Sequence, residues 1–195
     1  MIRTRHDLTC KIWFITFTCY KWLPLFEKTS SYNLVYNWLN LINEKYQIDT
    51  IAFVIMPNHV HLILQLPESV NNLNTIISNG KRFMAYELVK KLTVQNERSI
   101  LHLLSSGCSD KEKAKGQKHK VFEPSFDAKP VYTPEFLQQK LDYIHHNPIT
   151  GKWNLCAEFI DYPHSSATFY YNNKPHPFVN ITNYSEIFGA SQGSL

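Results

Sequence analysis

Two periods of apolar and polar positions succeed one another along the chain, and the switches between them outline the elements. Ile12-Trp13-Phe14-Ile15-Thr16-Phe17-Thr18-Cys19-Tyr20 is a β-branched and aromatic run that predicts a strand, broken by Pro24. From Ser30 to Tyr46 the apolar residues Leu34, Val35, Trp38, Leu39, Leu41 and Ile42 recur at helical spacing, with Ser30 or Ser31 as N-cap. Ile48 to Met56 is a second strand, apolar enough to be buried on both faces. Pro57-Asn58 supplies a turn, and His59 to Leu66 returns as a third strand, which makes a hairpin.

Pro67 ends that hairpin. From Val70 to Leu92 apolar and basic residues alternate at helical spacing, and Gly80 interrupts the pattern as a bend or a new helix start. Ser105 to Lys120 is almost devoid of apolar residues and reads as a mobile basic loop. Val121 to Tyr132 is an irregular or extended return strand. Thr133-Pro134-Glu135 then opens a helix with a cap, an N1 proline and an acid, and the helix stops at Asn147-Pro148. The order β-α-β-β-α-β-α predicts an α+β, ferredoxin-like sandwich with a central antiparallel sheet and a C-terminal extension. The expected division is a main domain over 1–155, with the basic loop at 105–120, and an extension over 156–195 packed on it. Ser165 and Ser166 read as a cap for a helix from Ala167 to Tyr171, and Trp13, Trp38 and Trp153 as core.

Composition narrows the function classes. With 195 residues and 44% hydrophobic content, the chain can bury a sizeable core. A net charge of +4 permits a nucleic-acid partner without demanding one. No G-x-x-x-x-G-K-[ST] or G-x-G-x-x-G motif occurs, which argues against classical nucleotide binding. Cys10, Cys19, Cys108 and Cys156 form no C-x-x-C pair, so free thiols in a reducing compartment are expected. The N-terminus shows no signal-peptide core and no apolar run approaches a membrane span, so a cytoplasmic location without membrane contact is expected.

Chemistry concentrates in two places. In Pro57-Asn58-His59-Val60-His61 the two histidines are two apart on a strand and project from one face, about 6–7 Å from each other. Such a pair can converge on a divalent metal, or can simply face solvent from a half-buried sheet. In Gln139-Lys140-Leu141-Asp142-Tyr143-Ile144-His145-His146-Asn147, Tyr143 shares a helix face with both Gln139 and Asn147. A phenol can serve as a covalent nucleophile once activated, although core or surface packing is the ordinary use of a tyrosine. His145 and His146 suit a helix C-terminus, where imidazolium is favourable.

Taken together, Pro57-Asn58-His59-Val60-His61-Leu-Ile-Leu and Tyr143-Ile144-His145-His146-Asn147-Pro148, the latter preceded by Phe126-Asp127-Ala128-Lys129 and Gln139-Lys140, resemble the HUH single-tyrosine transposases. Within them the tyrosine helix looks like that of the REP-associated branch, and the resemblance covers roughly residues 10 to 170. It implies that His59 and His61 bind a metal, that Tyr143 is the nucleophile, and that Asn147 stands where insertion-sequence relatives carry a Gln ligand. The implied cofactor is Mg²⁺ or Mn²⁺, whereas imidazole ligation by itself leans towards Mn²⁺ or a softer metal. The implied activity is cleavage and rejoining of single-stranded DNA at hairpin-containing, REP-like sequences through a 5′-phosphotyrosine. The REP-associated resemblance implies a monomer acting in cis; insertion-sequence relatives are homodimers with exchanged tyrosine helices.

Phosphate contacts are expected from Lys81, Arg82, Lys90 and Lys91 on the helix after the hairpin, and from Arg98 beyond it. The cluster Lys111, Lys113, Lys115, Lys118 and Lys120 would add non-specific backbone contact. Two other classes remain: a domesticated DNA-binding protein that does not cleave, and a metal-dependent phosphodiesterase that uses water while Tyr143 is structural.

Overall fold

The computed structural model describes residues 11–189; Cys10 therefore lies outside the described residues, and Cys19, Cys108 and Cys156 are free thiols. Strand β1 (Ile12–Thr18) is followed by a short helix α1 (Leu25–Lys28), by α2 (Asn33–Tyr46), and by the hairpin β2 (Asp49–Ile55) and β3 (His59–Gln65). Then come α3 (Leu73–Val94), α4 (Arg98–Ser106), α5 (Asp110–Ala114), β4 (Asp127–Pro130) and α6 (Pro134–His146), with α7 (Ala167–Asn172) and α8 (Tyr184–Gly189) after them. The strands form one antiparallel sheet in the order β2-β3-β1-β4. This is the expected α+β sandwich, with each βαβ unit split by an antiparallel strand. No helix among the described residues is long and apolar enough to cross a membrane.

Strand alternation sends each residue to one of two apolar layers. Trp13, Ile15 and Phe17 of β1 join Val60, Leu62 and Leu64 of β3 against α2 and α3. Ile12, Phe14 and Ile63 point the other way, towards Leu137, Leu141 and Ile144 of α6. His59 and His61 share the parity of Ile63, so they too face α6. Pairing register sets Thr16 opposite His61 and Thr18 opposite His59. The C-terminal residues run along the free edge of β2: Ser166 N–H donates to Phe53 O at 2.9 Å, and Thr182 N–H to Thr50 O at 2.9 Å.

Three local expectations are corrected. Gly80 neither bends nor restarts a helix, because α3 runs unbroken from Leu73 to Val94. Its role is steric: a Cβ at position 80 would lie 2.4 Å from Cε2 of the buried Trp38. Gly80→Ala is therefore expected to lower stability by about 1–3 kcal/mol through overpacking, against the usual helix gain of about 1 kcal/mol for Ala over Gly. Urea midpoints of the two proteins give the sign directly.

The basic loop of residues 105–120 is also more ordered than its composition suggests. It contains the end of α4 and the whole of α5, whose Ser109 hydroxyl accepts from Glu112 N–H while the Glu112 carboxylate accepts from Ser109 N–H. A capping box can start a helix without apolar residues. Finally, Ser31 does not cap α2, which begins at Asn33; its hydroxyl bonds to Thr29 instead. Trp13 and Trp38 are core residues, while Trp153 is only half-buried.

Beyond the end of β1 the chain takes two successive left-handed residues, Lys21 at φ 52° and Trp22 at φ 58°. Side chains disfavour that region by about 1–3 kcal/mol each, so local bonds must hold the turn. Lys21 N–H donates to Glu123 Oε1 at 2.9 Å, and Asn58 Nδ2 donates to Trp22 O at 3.0 Å.

Candidate active site

The hairpin, β1 and the end of α6 together place His59, His61, Tyr143 and Asn147 at one end of the sheet. His59 and His61 are 5% and 4% exposed, with ring centroids 4.7 Å apart. The Tyr143 ring meets the His61 ring edge-on at 5.1 Å, yet Tyr143 is 49% exposed. Phe14 packs between the layers, stacked on His61 at 5.6 Å and edge-on to Tyr143 at 6.0 Å. Asn147, at the C-cap of α6, is buried and its side chain hydrogen-bonds the His59 ring.

Hydrogen bonds fix how the imidazoles present themselves. Asn58 Oδ1 lies 2.6 Å from His59 Nδ1, and an amide oxygen can only accept, so Nδ1 carries the proton. Thr16 Oγ1 lies 2.7 Å from His61 Nδ1, while His61 Nε2 is buried without a hydrogen-bond partner. Burial pushes the His59 imidazole down to about 4, opposed by Asn147 and helped by Lys152. Burial, His59 and Lys140 push His61 down to about 3. Both rings are thus neutral near neutral pH, the form in which an imidazole can bind a cation. Among the described residues no group of three or more His, Cys, Asp or Glu is placed to hold a metal. Asn147 sets an amide side chain beside His59.

Lys140 was quoted in the sequence motif without a role of its own. Its Nζ lies 5.0 Å from the Phe14 ring centroid and 5.8 Å from that of Tyr143. Burial, with Lys129 nearby, holds this ammonium below the usual lysine range. Thr16, Asn58, Phe14 and Trp22 were missed as well. Asn58 stood next to the histidines, but Thr16 becomes visible only once strand register is known.

The expected phosphate contacts separate. Arg82, Lys115, Lys118 and Lys120 line a groove of about 900 Å³ between α3 and residues 112–124, together with Tyr86 and His119. Lys81 also borders it, but this residue is 9% exposed and its Nζ donates to Glu123 O at 2.7 Å and Ser125 O at 3.0 Å. Its ammonium ties down the chain beside the Lys21–Trp22 turn and is not free for DNA. Lys91 Nζ is turned towards Thr29 O, and Arg98 Nε donates to Asn96 Oδ1. Lys90, Lys111 and Lys113 are exposed outside the groove lining. His145 does not cap α6 but is buried, with Nε2 2.9 Å from Ser166 Oγ; His146 Nδ1 does meet a last-turn carbonyl, Asp142 O. The hydroxyl of Ser165 caps α7 by accepting from Ala167 N–H, whereas Ser166 gives no side-chain cap.

The antiparallel sheet thus carries a buried histidine pair beneath an exposed tyrosine, and a basic groove runs beside α3. A family model described as "Transposase IS200 like" matches residues 8–107, just over half of the sequence, and the chain belongs to that family. The matched stretch contains the histidine pair and ends before Tyr143. A Haemophilus influenzae protein with the provisional name REP-associated tyrosine transposase is 28% identical over 123 residues, which are 63% of this chain and 61% of that protein. The chain thus matches about three-fifths of that relative's length. The solved structure of a REP-associated tyrosine transposase bound to a REP hairpin superposes with a TM-score of 0.57 at 19% identity, covering 95% of this chain and 96% of that one. At that identity the likeness bears on the fold.

Proposed function

We propose that this chain cleaves and rejoins single-stranded DNA beside hairpins of the REP type, with Tyr143 as the covalent nucleophile. The observation that carries it is the exposed phenol of Tyr143 set 5.1 Å, ring to ring, from the buried His61 whose Nε2 is unpartnered. His59, His61 and Asn147 would hold a Mg²⁺ or Mn²⁺ ion, which when bound supplies Lewis-acid polarisation of a non-bridging phosphate oxygen. Tyr143 Oη forms a bond to phosphorus as the phosphorus–O3′ bond breaks. The phenolic proton goes to solvent, and the leaving oxygen takes one up as a 3′-OH. The product is a 5′-phosphotyrosine, so one phosphodiester replaces another and attack by a 3′-OH reverses the step. Lys140, beside Tyr143, offsets negative charge at the phosphate. The groove bearing Arg82, Lys115, Lys118 and Lys120 receives the duplex stem by sequence-independent phosphate contact.

The test is an end-labelled REP-type hairpin with single-stranded tails, incubated with the full chain and Mn²⁺. A band that survives denaturing electrophoresis and disappears on proteolysis is expected. Free 5′-phosphate ends without such a band would instead support a water-using phosphodiesterase.

Thr16 gives a second expectation, because a hydrogen bond to Nδ1 sets which nitrogen of His61 is bare. Thr16→Val is expected to weaken Mn²⁺ binding about 10–100-fold, measured by calorimetric titration, with the fold retained. An unchanged affinity would remove His61 Nε2 from the ligand set.

A further inference from the structure

Trp22 stands at the mouth of the candidate site and is 57% exposed. Its indole meets the His59 ring edge-on at 5.6 Å, so one edge is fixed against a proposed metal ligand. The backbone beneath it is left-handed at both Lys21 and Trp22 and is nonetheless pinned. Trp22 N–H donates to Cys19 O at 3.0 Å, Lys21 N–H to Glu123 Oε1, and Asn58 Nδ2 to Trp22 O. The same Asn58 amide accepts from His59 Nδ1, so a single side chain ties the indole's backbone to the ligand ring. Lys81, buried under this corner, anchors the carbonyls of Glu123 and Ser125 and so steadies the segment that Lys21 leans on.

A strained turn that spends several bonds to keep a large aromatic ring in water is not explained by packing, since burying that ring would be favourable. It is explained by a ligand with a flat π-face. We infer that Trp22 is a stacking platform for a nucleobase of the single-stranded segment, one that flanks the phosphate presented to Tyr143. This rests on the proposed DNA-cleaving role of the same site. A tryptophan has few rotatable bonds and its backbone is already ordered, so little freedom is lost when a base lands on it. Lys21, exposed next to it, meets the adjoining phosphate. Stacking tolerates every base, so the platform fixes position along the strand more than sequence.

The inference is tested by scanning an abasic site along the single-stranded tail of the hairpin oligonucleotide and measuring affinity in the presence of a chelator. For the wild-type chain, one tail position is expected to lose affinity about tenfold when its base is removed. Trp22→Ala is expected to bind the intact oligonucleotide about tenfold more weakly and to become indifferent to the abasic site at that position alone. Trp22→Phe should recover most of the loss, which a purely steric role in the turn would not allow. Additive losses at every tail position, or a phenylalanine variant as weak as the alanine one with unchanged thermal unfolding, would overturn the inference. When the scan is run in a chelator, so that affinity is read without metal-assisted cleavage, a coupled position together with no covalent adduct in Mn²⁺ would leave the platform standing and remove the nucleophile role of Tyr143. An adduct with no coupled position would do the opposite.

Discussion

Tyr143→Phe is expected to reduce covalent adduct formation by at least about a thousandfold, because nothing replaces a missing nucleophile. The substitution isolates the chemistry unusually well. The ring's contacts are the edges of Phe14 and His61 and the ammonium of Lys140, and phenylalanine keeps all three. Tyr143 is half-exposed, so removing one oxygen should change stability by no more than about 0.5 kcal/mol. Hairpin affinity should be unchanged for the same reason. Persistence of the adduct would place the nucleophile elsewhere and leave the histidine pair without a cleaving partner. Loss of both adduct and affinity would show that the hydroxyl binds DNA before it reacts. Only loss of the adduct with affinity intact supports attack by Tyr143.

How much of this was legible in the sequence depended on how far each feature reached beyond its own segment. The hairpin was legible because a turn at Pro57-Asn58 between two apolar runs admits few registers, and alternation then sets His59 and His61 on one face. Helix α6 was legible from its cap, Thr133, which does accept from Phe136 N–H. Other features were set by distant neighbours. Gly80 looks like a breaker until Trp38, forty-two positions earlier, is found packed against it. Lys81 looks like one basic residue among several on α3, and only the return of residues 123–125 makes it an internal anchor. Helix α5 was hidden by composition even though its box, Ser109 and Glu112, is written in the sequence. Thr16 and Trp22 needed strand register and backbone conformation, neither of which periodicity supplies. The groups proposed to react were thus visible as motifs, while the groups that orient them were not.

Acid should unfold the metal-free protein steeply, and this is the larger of the effects on stability. His59, His61 and His145 are each at most 5% exposed, and burial holds them at about 4, 3 and 3 against an ordinary value of 6.5. For His145 the wiring is explicit. Nε2 meets Ser166 Oγ, which also accepts from Phe53 N–H, and Nδ1 is buried with no partner to receive a second proton. The sign follows from linkage: the unfolded chain binds these protons first, so the stabilisation is complete above pH 6.5 and drains away as pH falls through 6.5 towards 3–4. These three protons alone contribute a slope of about 4 kcal/mol per pH unit, and His164, also pushed down to about 4, adds to it. Domains carry about 5–15 kcal/mol in all, so the midpoint of acid unfolding should fall before the histidines titrate in the fold. Urea unfolding in the presence of a chelator, from pH 7.5 down to 4, measures this directly. His145→Gln, which keeps a donor for Ser166 and cannot titrate, should lower the limiting slope by about one proton. A wild-type profile that is flat between pH 7 and 5 would show that these rings protonate in place, and the neutral pair at His59 and His61 would go with it.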